Sequence, residues 1–142
     1  MIEEIGSGIF PFFEQVARKA QKHGLQFAYH NHAFEFEEKV GEQFVFDALY
    51  DALPPVLAQV EMDLGWVQYI GQDPLAYTAK YSGRLPLLHL KDFRYAEDGG
   101  IDTLELGRGI IHLPRCFKPP RMPMSSGLLW SRTGVKIRRL KV

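Results

Sequence analysis

Three short apolar runs, each ending on residues that can bind a metal or move a proton, constrain this chain more than any other feature. They are Leu25 to Asn31 (LQFAYHN), Val56 to Asp63 (VLAQVEMD) and Leu85 to Lys91 (LPLLHLK). Each reads as a strand, and each is preceded by a stretch at helical spacing. In 8–23, Phe12, Phe13, Val16, Ala17 and Ala20 recur on one helical face, Pro11 suits a first turn, and Gly24 is a natural stop. The stretch 44–53 ends at Pro54-Pro55, and 73–80 opens on Asp73-Pro74, an N-cap followed by proline at the first helical position. Helix and strand alternate three times, which predicts βα units around a parallel sheet. Strands this short and apolar fit a sheet covered on both faces.

Side chains alternate across a strand with period two. By that parity His30 and His32 share a face with Gln26 and Ala28, Asp63 shares one with Glu61, and His89 shares one with Leu87 and Lys91. The ligand-capable residues cluster at the C-terminal strand ends, where parallel α/β folds build their sites. Imidazole nitrogens with carboxylate oxygens suit Mn, Zn, Co, Fe or Mg in an open site. Each residue also has a plainer reading. A single strand histidine can be a hydrogen-bonded core residue. Asp63 can cap the helix after it. Lys91-Asp92 can be a solvated strand end, and Glu35 with Glu37 can be the polar face of a short extended segment alternating with Phe34 and Phe36. The coincidence of three consecutive strands is what favours a shared site.

Composition narrows the remaining classes. Hydrophobic residues are 46% of the 142 and aromatics 13%, enough for a packed core. Cys116 is the one cysteine, so no internal disulfide forms. With no basic, apolar leader, this predicts a cytoplasmic location. No apolar run reaches the length of a membrane span. Charge is distributed unevenly: residues 1–105 hold all 17 acids and 8 bases, 8 − 17 = −9, while 106–142 hold the other 9 bases and no acid. The second part also has Pro114, Pro119, Pro120 and Pro123 and no sustained period. Two segments are therefore expected: 1–111, which carries the βα pattern, and 112–142, an irregular basic tail. A shifted reading frame near residues 111–115 is one hypothesis for the abrupt change.

The stretches GLQFAYHNHAFEFE, VEMDLGWVQYIGQDPLAYTAKYSGRLPLLHLKDF and ELGRGII together resemble the sugar phosphate isomerase/epimerase family of the xylose isomerase-like TIM-barrel superfamily. The resemblance covers about residues 8–111. It implies an α/β chain forming a partial (β/α)8 TIM barrel of three to four βα units, since a whole barrel takes about 250 residues. It further implies a divalent metal (Mn, Zn, Co or Mg) bound at the C-terminal strand ends. Asp63 of DLGW and His89 of LHLKD match family ligands, and the first ligand falls at His30, His32 or Glu35, with His32 the metal-binding choice. Lys91 matches a contact to a substrate anion or carbonyl. Glu35 and Lys91 are then the catalytic candidates, and His30, Trp66 and Lys91 the substrate-binding ones. The family's last ligand, a Glu on a later strand, has no counterpart here, because Glu105 is the last acid.

The activity so implied is metal-assisted proton transfer next to a carbonyl, on a sugar or sugar phosphate, by isomerisation or epimerisation, and it is expected to require barrel strands beyond those in this chain. An inosose dehydratase-like elimination is the close alternative. A non-catalytic fragment prone to self-association through exposed barrel edges is the second hypothesis. Nucleic-acid binding through the basic tail ranks last, because that tail has no helical period of basic residues.

Overall fold

A computed structural model describes residues 8–97, 99–112 and 127–130. Its centre is a four-stranded parallel sheet of β1 (Phe27–His30), β4 (Ala58–Asp63), β5 (Leu87–Leu90) and β8 (Gly127–Trp130), neighbours in that order. The three expected strands and the helices between them are present. These are α1 (Phe10–Lys22), α3 (Val45–Ala52), α4 (Leu64–Tyr69) and α5 (Pro74–Lys80). Asp73 caps α5 as its sequence suggests, accepting the Leu75 N–H at 2.8 Å. No helix among the described residues is long and apolar enough to cross a membrane.

The two faces of the sheet differ in chemistry. Val60, Met62, Leu88 and Leu90 point to the helices and are buried with Phe46, Tyr50, Tyr77 and Tyr81. Glu61, Asp63 and His89 take the other face by strand parity, and Lys91, one residue past β5, joins them with its Nζ 3.2 Å from Asp63 Oδ2. The helical layer is tied down by polar groups at its seams. Asp47 accepts the hydroxyls of Tyr81 at 2.6 Å and Tyr77 at 3.2 Å, and pairs with Lys80 at 2.7 Å. Arg84 of the Tyr-Ser-Gly-Arg stretch donates to the carbonyls of Tyr50, Leu53 and Ala58 at 2.6, 2.6 and 2.7 Å. Those acceptors include the end of α3, whose last carbonyls have no intrahelical partner. One planar guanidinium thus closes α3 and joins it to β4.

The structure departs from or adds to the sequence reading in several places. Residues 34–37 are a helical turn, α2 (Phe34–Glu37), not an extended segment. Phe36 stacks on Phe46 at 4.7 Å and meets Tyr77 edge-on at 5.1 Å, so core packing overrides the alternating pattern. A small hairpin, β2 (Lys39–Val40) with β3 (Gln43–Phe44), precedes α3. A second, β6 (Asp92–Tyr95) with β7 (Ile101–Leu104), follows β5. Within the segment expected to be irregular, Gly127–Trp130 pairs in parallel with β5, while residues 113–126 and 131–142 lie outside the described residues.

Asp92 is no solvated strand end. It is fully buried, and its Oδ2 accepts the N–H groups of Gly107 and Gly109, both at 2.8 Å. Its Oδ1 accepts those of Phe93 at 3.0 Å and Ile111 at 3.2 Å. The Glu105–Ile111 loop (ELGRGII) therefore folds around one carboxylate. Gly109 is required there, because a Cβ would collide with Asp92 Oδ1 and with the backbone of Phe93.

Two substitutions test these ties. Arg84→Met leaves three carbonyls to find other partners and should cost roughly 2–4 kcal/mol, read as a lower urea midpoint. Gly109→Ala should also lower the midpoint and weaken amide protection over 105–111. An unchanged midpoint in either variant would show that the tie is dispensable.

Candidate metal centre

The C-terminal ends of β1, β4 and β5 bring three ligand atoms together. His30 Nε2 lies 2.6 Å from His89 Nδ1. Asp63 Oδ2 lies 2.9 Å from His89 Nδ1 and 3.6 Å from His30 Nε2. Strand register explains the meeting: Asp63 is directly opposite His89, and His30 is opposite Glu61, two residues before Asp63 on the same face. Asp63 and His89 are buried and His30 is half-buried, so the trio opens to solvent on the β1 side.

The geometry suits a divalent ion. At metal–ligand distances of about 2.0–2.2 Å, neighbouring ligand atoms stand about 3–3.5 Å apart. The three observed separations bracket that range. Protons alone serve the cluster badly. His89 Nδ1 faces both His30 Nε2 and Asp63 Oδ2, and one ring nitrogen offers one proton or one lone pair. Asp63 Oδ2 is a buried oxygen with ion-pair contacts to Lys91 Nζ at 3.2 Å and His89 Nδ1 at 2.9 Å but no aligned hydrogen bond among the described residues. A cation between the three atoms would satisfy all of them.

Asp63 divides its carboxylate between two tasks. Oδ1 accepts the N–H groups of Gly65 at 2.8 Å and Trp66 at 3.2 Å, capping α4. Oδ2 is left for the site. The helix-cap reading of Asp63 therefore holds for one oxygen and leaves the other facing the two imidazoles. Burial pushes this carboxyl up. The His89 contact, Lys91 and the Trp66 amide outweigh burial and hold it below the usual carboxylate range. Burial is also the leading influence on His30, whose imidazole is held below its ordinary value despite the nearby Asp63.

Lys91 is buried with its Nζ 3.2 Å from Asp63 Oδ2 and 4.1 Å from the centre of the Trp66 ring. The glycine of Asp-Leu-Gly-Trp makes room for it. A Cβ on Gly65 would lie 2.8 Å from Lys91 Cδ and 2.9 Å from Lys91 Cβ.

His32 is not in the trio. β1 ends at His30, so strand parity no longer governs His32, which is exposed at the rim. Its ring is 5.1 Å from that of His30, 6.1 Å from Trp66 and 6.4 Å from Phe34, on which it stacks. Glu35 is buried with both oxygens engaged: Oε1 accepts the Tyr29 hydroxyl at 2.5 Å, and Oε2 accepts the His32 backbone N–H at 2.8 Å. The residue that sequence reasoning missed is Asn31. It is fully buried, its Oδ1 accepts the Asp63 N–H at 2.8 Å, and its Nδ2 donates to the Asp63 carbonyl at 3.3 Å. Its side chain extends the β1–β4 ladder by one rung and fixes the backbone of Asp63. Its signal in the sequence is a polar amide between two histidines at a strand end.

Proton competition gives a test with a definite sign. Zinc affinity, measured by calorimetry from about pH 8 to about pH 5, should be flat while His30 is neutral. The loss due to His30 should begin only below its ordinary value of 6.5, because the folded protein holds this imidazole neutral to lower pH. Folding stability without metal should follow the same sign. It should decline as pH falls through that window, where the unfolded chain takes up the proton first. A zinc affinity independent of pH would exclude imidazole ligation.

Comparisons with known proteins agree with this architecture. No family model matches the chain. An inosose dehydratase of Geobacillus kaustophilus (strain HTA426) is 33% identical over 94 residues, covering 66% of this chain and 28% of the relative. An inosose dehydratase of Bacillus cereus (strain AH820) is 32% identical over 79 residues, covering 56% and 26%. The chain thus spans little more than a quarter of the length of these curated relatives. Among solved structures, a sugar phosphate isomerase/epimerase from Parabacteroides distasonis ATCC 8503 aligns with a TM-score of 0.73 at 23% identity, over 96% of this chain and 48% of that one. Another from the same organism aligns at 0.65 with 25% identity, over 83% and 42%. A xylose isomerase domain protein from Planctomyces limnophilus aligns at 0.67 with 14% identity, over 87% and 45%. The parallel sheet, its helices and these likenesses identify the chain as an α/β fold matching part of a TIM barrel, with sugar phosphate isomerase/epimerase and xylose isomerase domain proteins as its structural neighbours.

Proposed function

We propose that this chain contributes one wall of a metal-dependent centre that moves a proton at a carbon next to a carbonyl, on a ketose or a cyclic keto-polyol. The observation that carries the reading is the convergence of His30, Asp63 and His89 at the ends of three neighbouring parallel strands. Those three residues would hold the ion. When bound, it supplies Lewis-acid polarisation of the substrate's carbonyl and hydroxyl oxygens.

The other residues then have defined tasks. Lys91 presents a buried ammonium to the substrate oxygen on which negative charge develops, an electrostatic role. His32 takes the proton-transfer role, because it is exposed at the rim and lies outside the ion-holding trio. Glu35 acts through His32 by holding its backbone, so its role in this reading is positioning in place of direct acid–base catalysis. Trp66 carries Lys91 on its ring and forms part of the substrate wall.

The likeness to inosose dehydratases favours a second outcome at the same centre. If a hydroxyl on the carbon beyond the abstracted proton departs, the product is the dehydrated ketone and not an isomer. Both outcomes share proton removal, so that step is the one to measure. The protein, loaded with Mn or Zn, is incubated in deuterium oxide with a keto-inositol or a ketose. Incorporation of deuterium next to the carbonyl is followed by NMR. Exchange should depend on the metal and fall by about 100-fold or more in Asp63→Ala and His89→Ala. Metal bound in full with no exchange would refute the reaction and leave the metal site standing.

A further inference from the structure

We propose that Lys91 is a built-in competitor for the metal seat: its ammonium holds Asp63 Oδ2, and the ion displaces it along the Trp66 ring toward the mouth of the site. The proposal rests on the metal reading above and adds a coupling between loading the ion and freeing the lysine for substrate.

Charge balance carries the argument. Asp63 is the only carboxylate of the trio, and its one negative charge is already matched by the Lys91 ammonium at 3.2 Å. Lysine and carboxylate are both buried, so solvent screens them little. A divalent ion between His30, His89 and Asp63 would take the same Oδ2 and stand beside a like charge at close range. Two cations on one carboxylate oxygen repel, so the ammonium yields or the ion does not bind.

The surroundings give the displaced ammonium a path and a destination. The lysine stem runs over Gly65, which has no Cβ to obstruct it. The ammonium already sits 4.1 Å from the Trp66 ring centre, so a cation–π contact is in place when the Asp63 contact is lost. Trp66 neighbours His32 at the rim. An ammonium moved that way meets an incoming carbonyl, hydroxyl or phosphate oxygen. The lysine would therefore be available to substrate once the ion is seated, which orders the two binding events without any larger motion.

The test uses the full chain stripped of metal and titrated with zinc, followed by calorimetry and by Trp66 emission. The other tryptophan, Trp130, is changed to Phe for the emission experiment. Lys91→Met, which keeps the stem and removes the charge, should bind zinc about tenfold tighter or better, while Lys91→Arg, which keeps the charge, should not. Zinc should change Trp66 emission in the Trp130→Phe protein, and this change should be lost when Lys91→Met is added. Lys91→Gln serves the affinity comparison if circular dichroism shows that the Met variant does not fold. Equal or weaker zinc binding by the folded uncharged variant overturns the proposal. So does zinc binding to the Trp130→Phe protein that leaves Trp66 emission unchanged. Equal affinities remove only the role of the lysine, whereas no zinc binding in any variant removes the metal reading itself.

Discussion

The divided carboxylate of Asp63 is the contact on which the described structure depends. One oxygen caps α4 and so fixes where β4 stops and the next helix begins. The other faces two imidazoles and an ammonium in a place with little water. A one-residue slip in the register of β4 would turn this side chain to the helix layer. Asn31 guards against that slip by bonding both backbone polar groups of Asp63. The cap, the ladder and the site are therefore one interaction seen from three sides.

Several short motifs acquire physical meanings in this frame. In Asp-Leu-Gly-Trp the aspartate caps and binds, the glycine clears the path of Lys91, and the tryptophan carries the ammonium. In Leu-His-Leu-Lys-Asp the alternate residues His89 and Lys91 go to the site, and Leu88 and Leu90 go to the core. The final Asp92 faces neither; it gathers four backbone N–H groups and shapes the Glu105–Ile111 loop, with Gly109 pressed against its carboxylate. Arg84 closes α3 with a fork that a lysine could not reproduce. The strongest of these polar contacts sit at the junctions between elements, where backbone groups would otherwise be left unpaired.

The site itself explains why isomerisation and dehydration are hard to separate at this level. In the proposed reaction both would begin by removing a proton next to a polarised carbonyl, and the trio with Lys91 and His32 would serve that shared first step. The fate of the resulting enediolate depends on which hydroxyl is aligned to leave and which groups line the opposite side of the substrate. The chain spans less than half of the barrels it resembles in structure, so that opposite side belongs to the expectations of the whole fold.

The alternation of helices and strands, the site-facing positions of Asp63, His89 and Lys91, and the cap at Asp73 could be read from the sequence. All of them follow from local periodicity and local hydrogen bonding, which a linear string records directly. The choice between His30 and His32 could not, because parity holds only while the strand lasts and β1 ends at His30. The helical turn at Phe34–Glu37 depends on Phe46 and Tyr77, the burial of Asp92 on a loop some fifteen residues away, and the place of Gly127–Trp130 on pairing with β5. Each is a long-range contact that outweighs a local preference. The sequence by itself determined the sheet and the types of side chain at its edge. Only the tertiary structure decided which nitrogen meets which oxygen, because distances of about 3 Å between separate strands are set by register and packing.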